Sequence, residues 1–584
     1  MLWLVVILGV LICLWRLGFT GVTDETPPLF AAAGRGMVES GDWLTPRVNG
    51  LPRFDKPPLV YWLMAIGYAL PGAEGWDPLG SWAARLPSAL ATIAMMVGLA
   101  ETLLRFPRRE DPLPAWTAVA APLAFGLSPL VLVWSRTAVS DALLCSLLGL
   151  SLLLQWRRFA DPDQQRWWPA WVVLGLAVLA KGPVAVVLSG LTWILFVIVR
   201  RDLQTPWQRL RPLSGLLVTT AVSLPWYVIE LIVEGQPFWD SFFGYHNLQR
   251  FTSVVNDHLQ PWWFFGPVML IAALPFTPLL LLALADLPRQ RAAPDQSLAQ
   301  YAGCWMLAVL LLFTSAATKL PSYWLPATPA AALLISFVAI GRGRLRTFAW
   351  ALTGVLTLVL AAGFWGSSLW IPLINDPEMP TLAVDLLASG FVLRAAGWFT
   401  LAGLLGLLLT SCHGVVRLLA MQMPLLLFHL TALVPIAELG DQLRQLPVRQ
   451  VAKQMIREQR PGEPLAMVGA MKPSLHFHTG QVVVYEGRSD GALVNLSDRL
   501  ATEQRRGWSG RPLSDPEASS SVLLVIDKGT ALQQHWRGME PQQLGVHGIY
   551  AIWRLDRRRL ERRAAELMAE GVDLDWRDPR PERF

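Results

Sequence analysis

The chain has 584 residues, 53% of them hydrophobic and only 16% charged, with a mean hydropathy of +0.40. A soluble globular protein carries roughly a quarter charged residues, so this composition excludes one and points to a polytopic membrane protein. The 49 Lys and Arg against 43 Asp and Glu give +6, which fits basic anchoring of cytoplasmic loops. No basic stripe interleaved with aromatics marks a nucleic-acid partner.

Thirteen apolar runs approach the roughly 20 residues that cross a bilayer. In chain order the first four are 2–19, 82–104, 115–134 and 138–156. Two more lie within 168–199, split near Lys181-Gly182-Pro183 because Pro cannot continue a helix. The rest are 213–233, 262–285, 301–316, 323–340, 347–366, 395–409 and 418–436. The first run lacks a basic leader and a small-residue cleavage site and reads as a retained helix. The shorter run 59–70 reads as an interfacial helix. Cys13, Cys145, Cys304 and Cys412 lie far apart in or against these runs and build neither a disulfide framework nor a zinc ribbon.

Alternate loops carry Arg105/Arg108/Arg109, Arg157/Arg158/Arg166, Arg200/Arg201/Arg209/Arg211, Arg289/Arg291 and Arg342/Arg344/Arg346. By the positive-inside rule these face the cytoplasm. The N-terminus is then inside, and the chain after Ile436 is extracytoplasmic. From Ala437 onward the composition turns mixed, with strand-like runs at 465–469, 482–485, 522–526 and 550–553 and a helical run at 493–506. The organisation read from this is a membrane domain over 1–437 with a first external loop over 20–81, a small α/β domain over 438–556, and a charged helix and tail over 557–584.

On that topology, polar residues embedded in apolar sequence collect on the external side. They are Asp24-Glu25, Asp42, Asn49, Asp55-Lys56, Arg136, Asp141, Lys181, Tyr245-His246-Asn247, Arg250, His258 and Lys319 to Tyr323. Ionisable groups at membrane depth are costly and mark a functional site. Cations from Lys56, Lys181, Arg250 and Lys319 beside carboxylates from Asp24, Asp55 and Asp141 suit an anionic lipid headgroup next to a group that orients or deprotonates a nucleophile.

The segments Asp24-Glu25-Thr26, Glu39 to Pro46, Asn49-Gly50 and Phe54-Asp55-Lys56-Pro57-Pro58-Leu59 resemble the first external loop of bacterial aminoarabinose lipid A transferases (glycosyltransferase family 83). These belong with the protein O-mannosyltransferases to the GT-C superfamily. Arg85 to Ser88, Ser135-Arg136 to Asp141, Lys181-Gly182-Pro183, Asn247 to Phe251 and Lys319 to Tyr323 resemble the same family, in order. The resemblance covers roughly the first 340 residues. It implies an all-α GT-C membrane domain of about 13 helices with a C-terminal extracytoplasmic α/β domain. The activity implied is transfer of a sugar from a polyprenyl-phosphate donor to a lipid (lipid A is one candidate), a glycan or a protein, in the bacterial inner membrane.

Carried over by position, Asp24 resembles the family's key acidic residue and Asp141 the second carboxylate near the sugar. Lys56 and Arg250 would hold the lipid phosphate. Glu25, Asp55, Arg136, Lys181, Lys319 and Tyr323 would complete the substrate site. The chain departs from many relatives in having Pro27-Pro28 where they have Arg-Tyr, which removes any donor contact a cation makes there. Some relatives have Glu in place of Asp55 and use it to bind metal. Asp55 with His246 or His258 could hold Zn²⁺, although their spacing gives no compact ligand set, and no cofactor is required by anything in the sequence.

Four other motifs read as structural. His476-Phe477-His478 alternates along an expected strand, Asn495-Leu496-Ser497 fits a glycosylation pattern, Asp573-Leu574-Asp575 lies in the charged tail, and Asp161-Pro162-Asp163 forms a turn. His429 sits in the last span as a packed or interhelical hydrogen-bonding residue. The rival to a transferase is a flippase of a lipid-linked sugar, which normally shows two related halves.

Overall fold

In a computed structural model the described residues are 1–161, 163, 166–254, 259–287, 293–503, 507 and 519–577. His258, Arg289, Arg291, Arg506, Pro162 and the tail beyond 577 lie outside them. Among the described residues eight helices are long and apolar enough to cross a membrane, and a bent pair makes a ninth. Shorter apolar helices include Leu2–Cys13, Leu59–Tyr68, Pro169–Lys181 and Val184–Arg200.

Local chemistry explains where helices stop short of the apolar runs. The first helix ends at Cys13 rather than near 19. Arg136 takes its orphaned carbonyls, donating to Ile12 O, Cys13 O and Trp15 O at 3.2, 3.2 and 2.8 Å. Arg85, itself buried, similarly takes Leu17 O and Gly21 O at 2.8 and 2.5 Å, so the turn after the first helix is held by two guanidiniums. The run at 262–285 forms two helices, Phe265–Ala272 and Thr277–Asp286, bent by 114°. Pro275 lies at that break, and the freed carbonyls of Ala272 and Leu270 accept from Ser128 Oγ and Thr277 Oγ1 at 2.7 and 2.6 Å. The split at Lys181 falls at Gly182, whose φ of +101° is open to glycine, followed by Pro183. The run at 115–134 likewise divides into Pro114–Gly126 and Pro129–Trp134.

The basic loops meet at one end of the bundle. Arg109 pairs with Asp295 at 3.3 Å, Arg346 with Asp286 at 3.7 Å, and Arg108 lies over Phe337. At the other end, helix Thr26–Ser40 packs on helix Leu59–Tyr68, with the short hairpin β1 (Arg47–Val48) and β2 (Leu51–Pro52) between them in sequence.

The C-terminal domain is a five-stranded sheet of β3 (Leu465–Val468), β4 (Val483–Glu486), β5 (Ser521–Asp527), β6 (Gln542–His547) and β7 (Tyr550–Asp556), in the order β4-β3-β5-β7-β6. β3 is parallel to β4 and β5, while β7 runs antiparallel to β5 and β6. β5 is buried along its whole length because helices cover both faces. Leu524 and Ile526 pack with Leu493 and Leu496 on one side, and Leu523 and Val525 with Val448 and Met455 on the other. Helix Arg557–Ala569 joins the first of these cores through Leu560, Ala564 and Leu567. β6 escapes a sequence reading because Gln542-Gln543 and His547 break its apolar pattern.

The His476-Phe477-His478 motif is not a strand. Pro473 opens a short helix, Ser474–Thr479, and His476 bridges Asn49 N–H at Nε2 (2.8 Å) and Gln481 O at Nδ1 (2.6 Å). Asn495 is buried in helix Asp490–Thr502, where its amide donates to Asp575 at 2.6 Å, so this motif and the Asp573-Leu574-Asp575 motif brace each other. His429 Nε2 lies 2.8 Å from Ile12 O, the interhelical role expected of it.

The membrane domain grips the edge strand β4. Asn49 donates to Val483 O at 2.7 Å and accepts Val483 N–H at 2.8 Å, in effect one residue of added strand. Arg35 donates to Phe477 O and lies over the Phe477 ring.

Candidate active site

A cavity of about 1520 Å³ opens between the first external loop, the 241–251 segment and the 312–326 segment. Glu25, Asp55, Lys56, Asp141, Lys181, Arg250 and Tyr323 all line it, so seven residues singled out from sequence meet in one place. Several are placed by a break in regular structure. Asp55 and Lys56 follow the β1-β2 hairpin, Asp141 starts helix Asp141–Ala160, and Lys181 ends helix Pro169–Lys181. Arg250 is held at the cavity by backbone bonds from its neighbours: Ala317 N–H donates to Phe251 O at 2.9 Å and Thr318 N–H to Arg250 O at 3.4 Å.

The ion pairs are short. Lys181 Nζ lies 2.7 Å from Asp141 Oδ1 and over the Tyr323 ring. Arg53 donates to Asp55 Oδ2 at 2.7 Å and Tyr61 Oη donates to Asp55 Oδ1 at 2.8 Å. Lys56 Nζ donates to the Asp55 carbonyl at 2.8 Å and stands 3.7 Å from its carboxylate. Burial by itself would raise the Asp55 carboxyl, but Arg53 and Lys56 hold it well below the usual carboxylate range. Burial pushes the Lys56 ammonium down to about 8; Asp55 opposes this, while Arg250, Lys181 and Arg53 add repulsion. A bound anion would relieve that repulsion.

His246, also in the wall, is pushed down to about 3 by burial and by Lys56. Its Nδ1 is buried without a hydrogen-bond partner among the described residues. Among the described residues nothing beside it is arranged to hold a divalent metal. Both Asp55 oxygens are engaged, Lys56 and Arg250 crowd the position with positive charge, and among the described residues no three or more His, Cys, Asp or Glu are grouped to hold an ion.

Three sequence candidates stand outside the wall. Arg136 is spent on the end of the first helix. Lys319 turns back to donate to Ala316 O at 2.7 Å. Asp24 lies beside Glu25 but faces the C-terminal domain: Ser474 donates N–H to Oδ1 at 2.9 Å and Oγ–H to Oδ2 at 2.6 Å. Gln445, with its amide oriented by its hydrogen bonds, donates to Asp24 Oδ2 at 2.9 Å and accepts Asp24 N–H at 3.1 Å. Burial drives the Asp24 carboxyl up to about 6, against lowering by Ser474, Lys472 and Arg444.

Glu234 and Pro473 are among the lining residues that sequence reasoning did not single out. Glu234 ends a long apolar helix and pairs with Arg47 at 2.9 Å, and Pro473 reaches the wall from the C-terminal domain. The pairing of Glu234 is long-range in sequence, and no local pattern predicts that a residue after β3 returns to the membrane domain. Much of the rest of the wall is apolar and aromatic, with Phe243, Phe251, Leu312 and Phe313 among its residues.

Residues 55–226 match a family model described as dolichyl-phosphate-mannose-protein mannosyltransferase, and residues 458–571 one described as cyanobacterial RgtA-type glycosyltransferase, C-terminal domain. Over 353 residues the chain is 30% identical to the undecaprenyl phosphate-alpha-4-amino-4-deoxy-L-arabinose arabinosyl transferase of Pseudomonas aeruginosa (strain UCBPP-PA14), covering 58% of this chain and 59% of that protein. A transferase of the same description from Pseudomonas fluorescens (strain Pf-5) is 30% identical over 397 residues, covering 64% of this chain and 66% of that protein. The first of these matches thus spans about six tenths of the curated relative's length, 59%. The crystal structure of ArnT from Cupriavidus metallidurans bound to undecaprenyl phosphate aligns with a TM-score of 0.74 at 22% identity, covering 94% of this chain and 97% of that one. Its apo state aligns at 0.73 and 21% identity, covering 95% and 98%.

Proposed function

We propose that this chain, GT-C in fold and aminoarabinose transferase-like in sequence, is an integral membrane glycosyltransferase that moves a sugar from a polyprenyl-phosphate donor to a lipid acceptor, lipid A being the leading candidate. The observation that carries the reading is the crowding of Lys56, Arg250 and Lys181 at one cavity with an apolar, aromatic wall. The cations take the donor phosphate, and the polyprenyl chain lies along Phe243, Phe251, Leu312 and Phe313. As the bond between the anomeric carbon and the phosphate oxygen breaks, negative charge grows on the phosphate that these cations already face. Asp141, fixed by Lys181, stands on the sugar side.

Asp24, outside the wall and held by Ser474 and Gln445, is the second carboxylate of this reading through its place next to Glu25 in the wall and through the sequence resemblance. For a hydroxyl acceptor it serves as base; for an acceptor phosphate, already ionised, it orients and tunes the nucleophile. Asp55, Glu25 and Tyr323 shape the substrate site. The basic loops at the opposite end support a cytoplasmic N-terminus and an extracytoplasmic C-terminal domain, in a bacterial inner membrane.

The test is purified protein in liposomes with undecaprenyl phosphate-linked aminoarabinose and lipid A, read by mass spectrometry. Sugar-modified lipid A, lost in Asp24→Asn, is the expected result. Donor that crosses the bilayer without being consumed would overturn the transferase in favour of a flippase.

A further inference from the structure

The chain leaves β3 toward β4 on one side and later returns to β5 on the other, so the sheet has a topological switch point at the carboxyl ends of β3 and β5. Open α/β sheets bind ligands in that crevice. In this domain its polar groups are already matched. Asp527, at the end of β5, accepts from Ala470 N–H at 2.9 Å and Thr530 Oγ1 at 2.7 Å. The segment after β3, Lys472-Pro473-Ser474, projects from the crevice to the membrane domain. Lys472 and Ser474 are buried there, and Pro473 reaches the cavity wall.

We infer that Ser474 is a positioning residue for Asp24, so that the C-terminal domain sets the aim of a carboxylate that stands next to the cavity wall at Glu25. Ser474 meets both Asp24 oxygens, one through its amide and one through its hydroxyl, and Gln445 holds the Asp24 backbone and Oδ2 from a second element. Glu25 and Thr26, the next two residues, are in the cavity wall, so a shift of Asp24 moves the wall. The other groups facing Asp24 are Lys472 and Arg444, both shared with Glu378, and the phenols of Tyr485 and Tyr550. None of these replaces the Ser474 hydroxyl if it is removed.

The inference rests on the transferase reading above, and the experiment separates the two. Wild type, Ser474→Ala and Ser474→Thr are compared as full-length protein in liposomes, with kcat, donor KM and a pH profile for each. Ser474→Ala keeps the amide contact but loses the hydroxyl that stabilises the ionised carboxylate. Its kcat should fall about tenfold with donor KM changed less than about twofold. The acidic limb of its profile should move up by about one pH unit, and Ser474→Thr should restore both. An unchanged or increased kcat in Ser474→Ala, or a loss with no movement of the acidic limb, would overturn the positioning role while leaving the transferase intact. A wild type that transfers no sugar removes the reading beneath it, and the inference with it.

Discussion

At the junction of the two domains, charges meet their opposites inside the protein. Arg449 pairs with Asp441 through two bonds of 2.8 and 2.6 Å, Gly21 N–H adds a third to Asp441 at 2.7 Å, and Lys472 and Arg444 share Glu378. In the cavity just below, Lys56 shares one nearby carboxylate with Arg53 and is repelled by Arg250 and Lys181. The same residue types thus do different work. At the junction each ion pair fixes geometry; in the cavity several cations stand close enough to repel one another as well as to pair, and the proposed function puts a substrate anion among them.

Substitutions should separate the two regions, the largest effect falling at the junction. Asp441→Ala leaves Arg449 buried without its partner and should cost about 3–5 kcal/mol, read as a lower melting temperature. In the folded fraction, affinity for undecaprenyl phosphate should be unchanged; a loss of that affinity would join what the comparison separates. Lys56→Ala should do the reverse. Loss of one charged contact to phosphate should weaken undecaprenyl phosphate binding roughly 10- to 100-fold with no fall in thermal stability, measured by titration calorimetry and thermal melting.

A pH series sharpens the second prediction. Lys56 is depressed to about 8, so its cationic form disappears as pH rises through that value. Donor affinity should therefore fall above pH of about 8, by at most about tenfold per unit, while the unliganded protein gains stability there because the unfolded chain binds more protons. An affinity flat from pH 7 to 9 would remove Lys56 from the phosphate site. The smallest effect is expected at Arg577, whose pair with Asp498 at 2.8 Å is largely exposed. Arg577→Ala should change stability by less than about 0.5 kcal/mol.

Particular residues show how much was legible in the sequence. The break at Lys181-Gly182-Pro183 could be read because proline and glycine act locally, and Asp55-Lys56 stood out because charge is rare in apolar sequence. Arg136 and Lys319 stood out for the same reason, yet they serve helix ends and a carbonyl, since a charge in a membrane protein pays for its burial equally well in structure or in a site. The His476 motif was misread because alternation over three residues does not distinguish a strand from one turn of helix. Pro473 and Ser474 carried no signal at all.

Composition, hydropathy and the order of the motifs determined by themselves that this is a helical membrane protein with a small α/β domain at its end, because desolvation acts on every residue according to its own chemistry. Tertiary structure alone decided which charges share a cavity and which are spent at a helix end. It also decided that Asp24, first among the candidates, turns its carboxylate to Ser474, 450 positions away in the chain. Such pairings depend on how separately formed helices and a sheet dock, and the distance between two side chains after docking is a property of no single stretch of sequence.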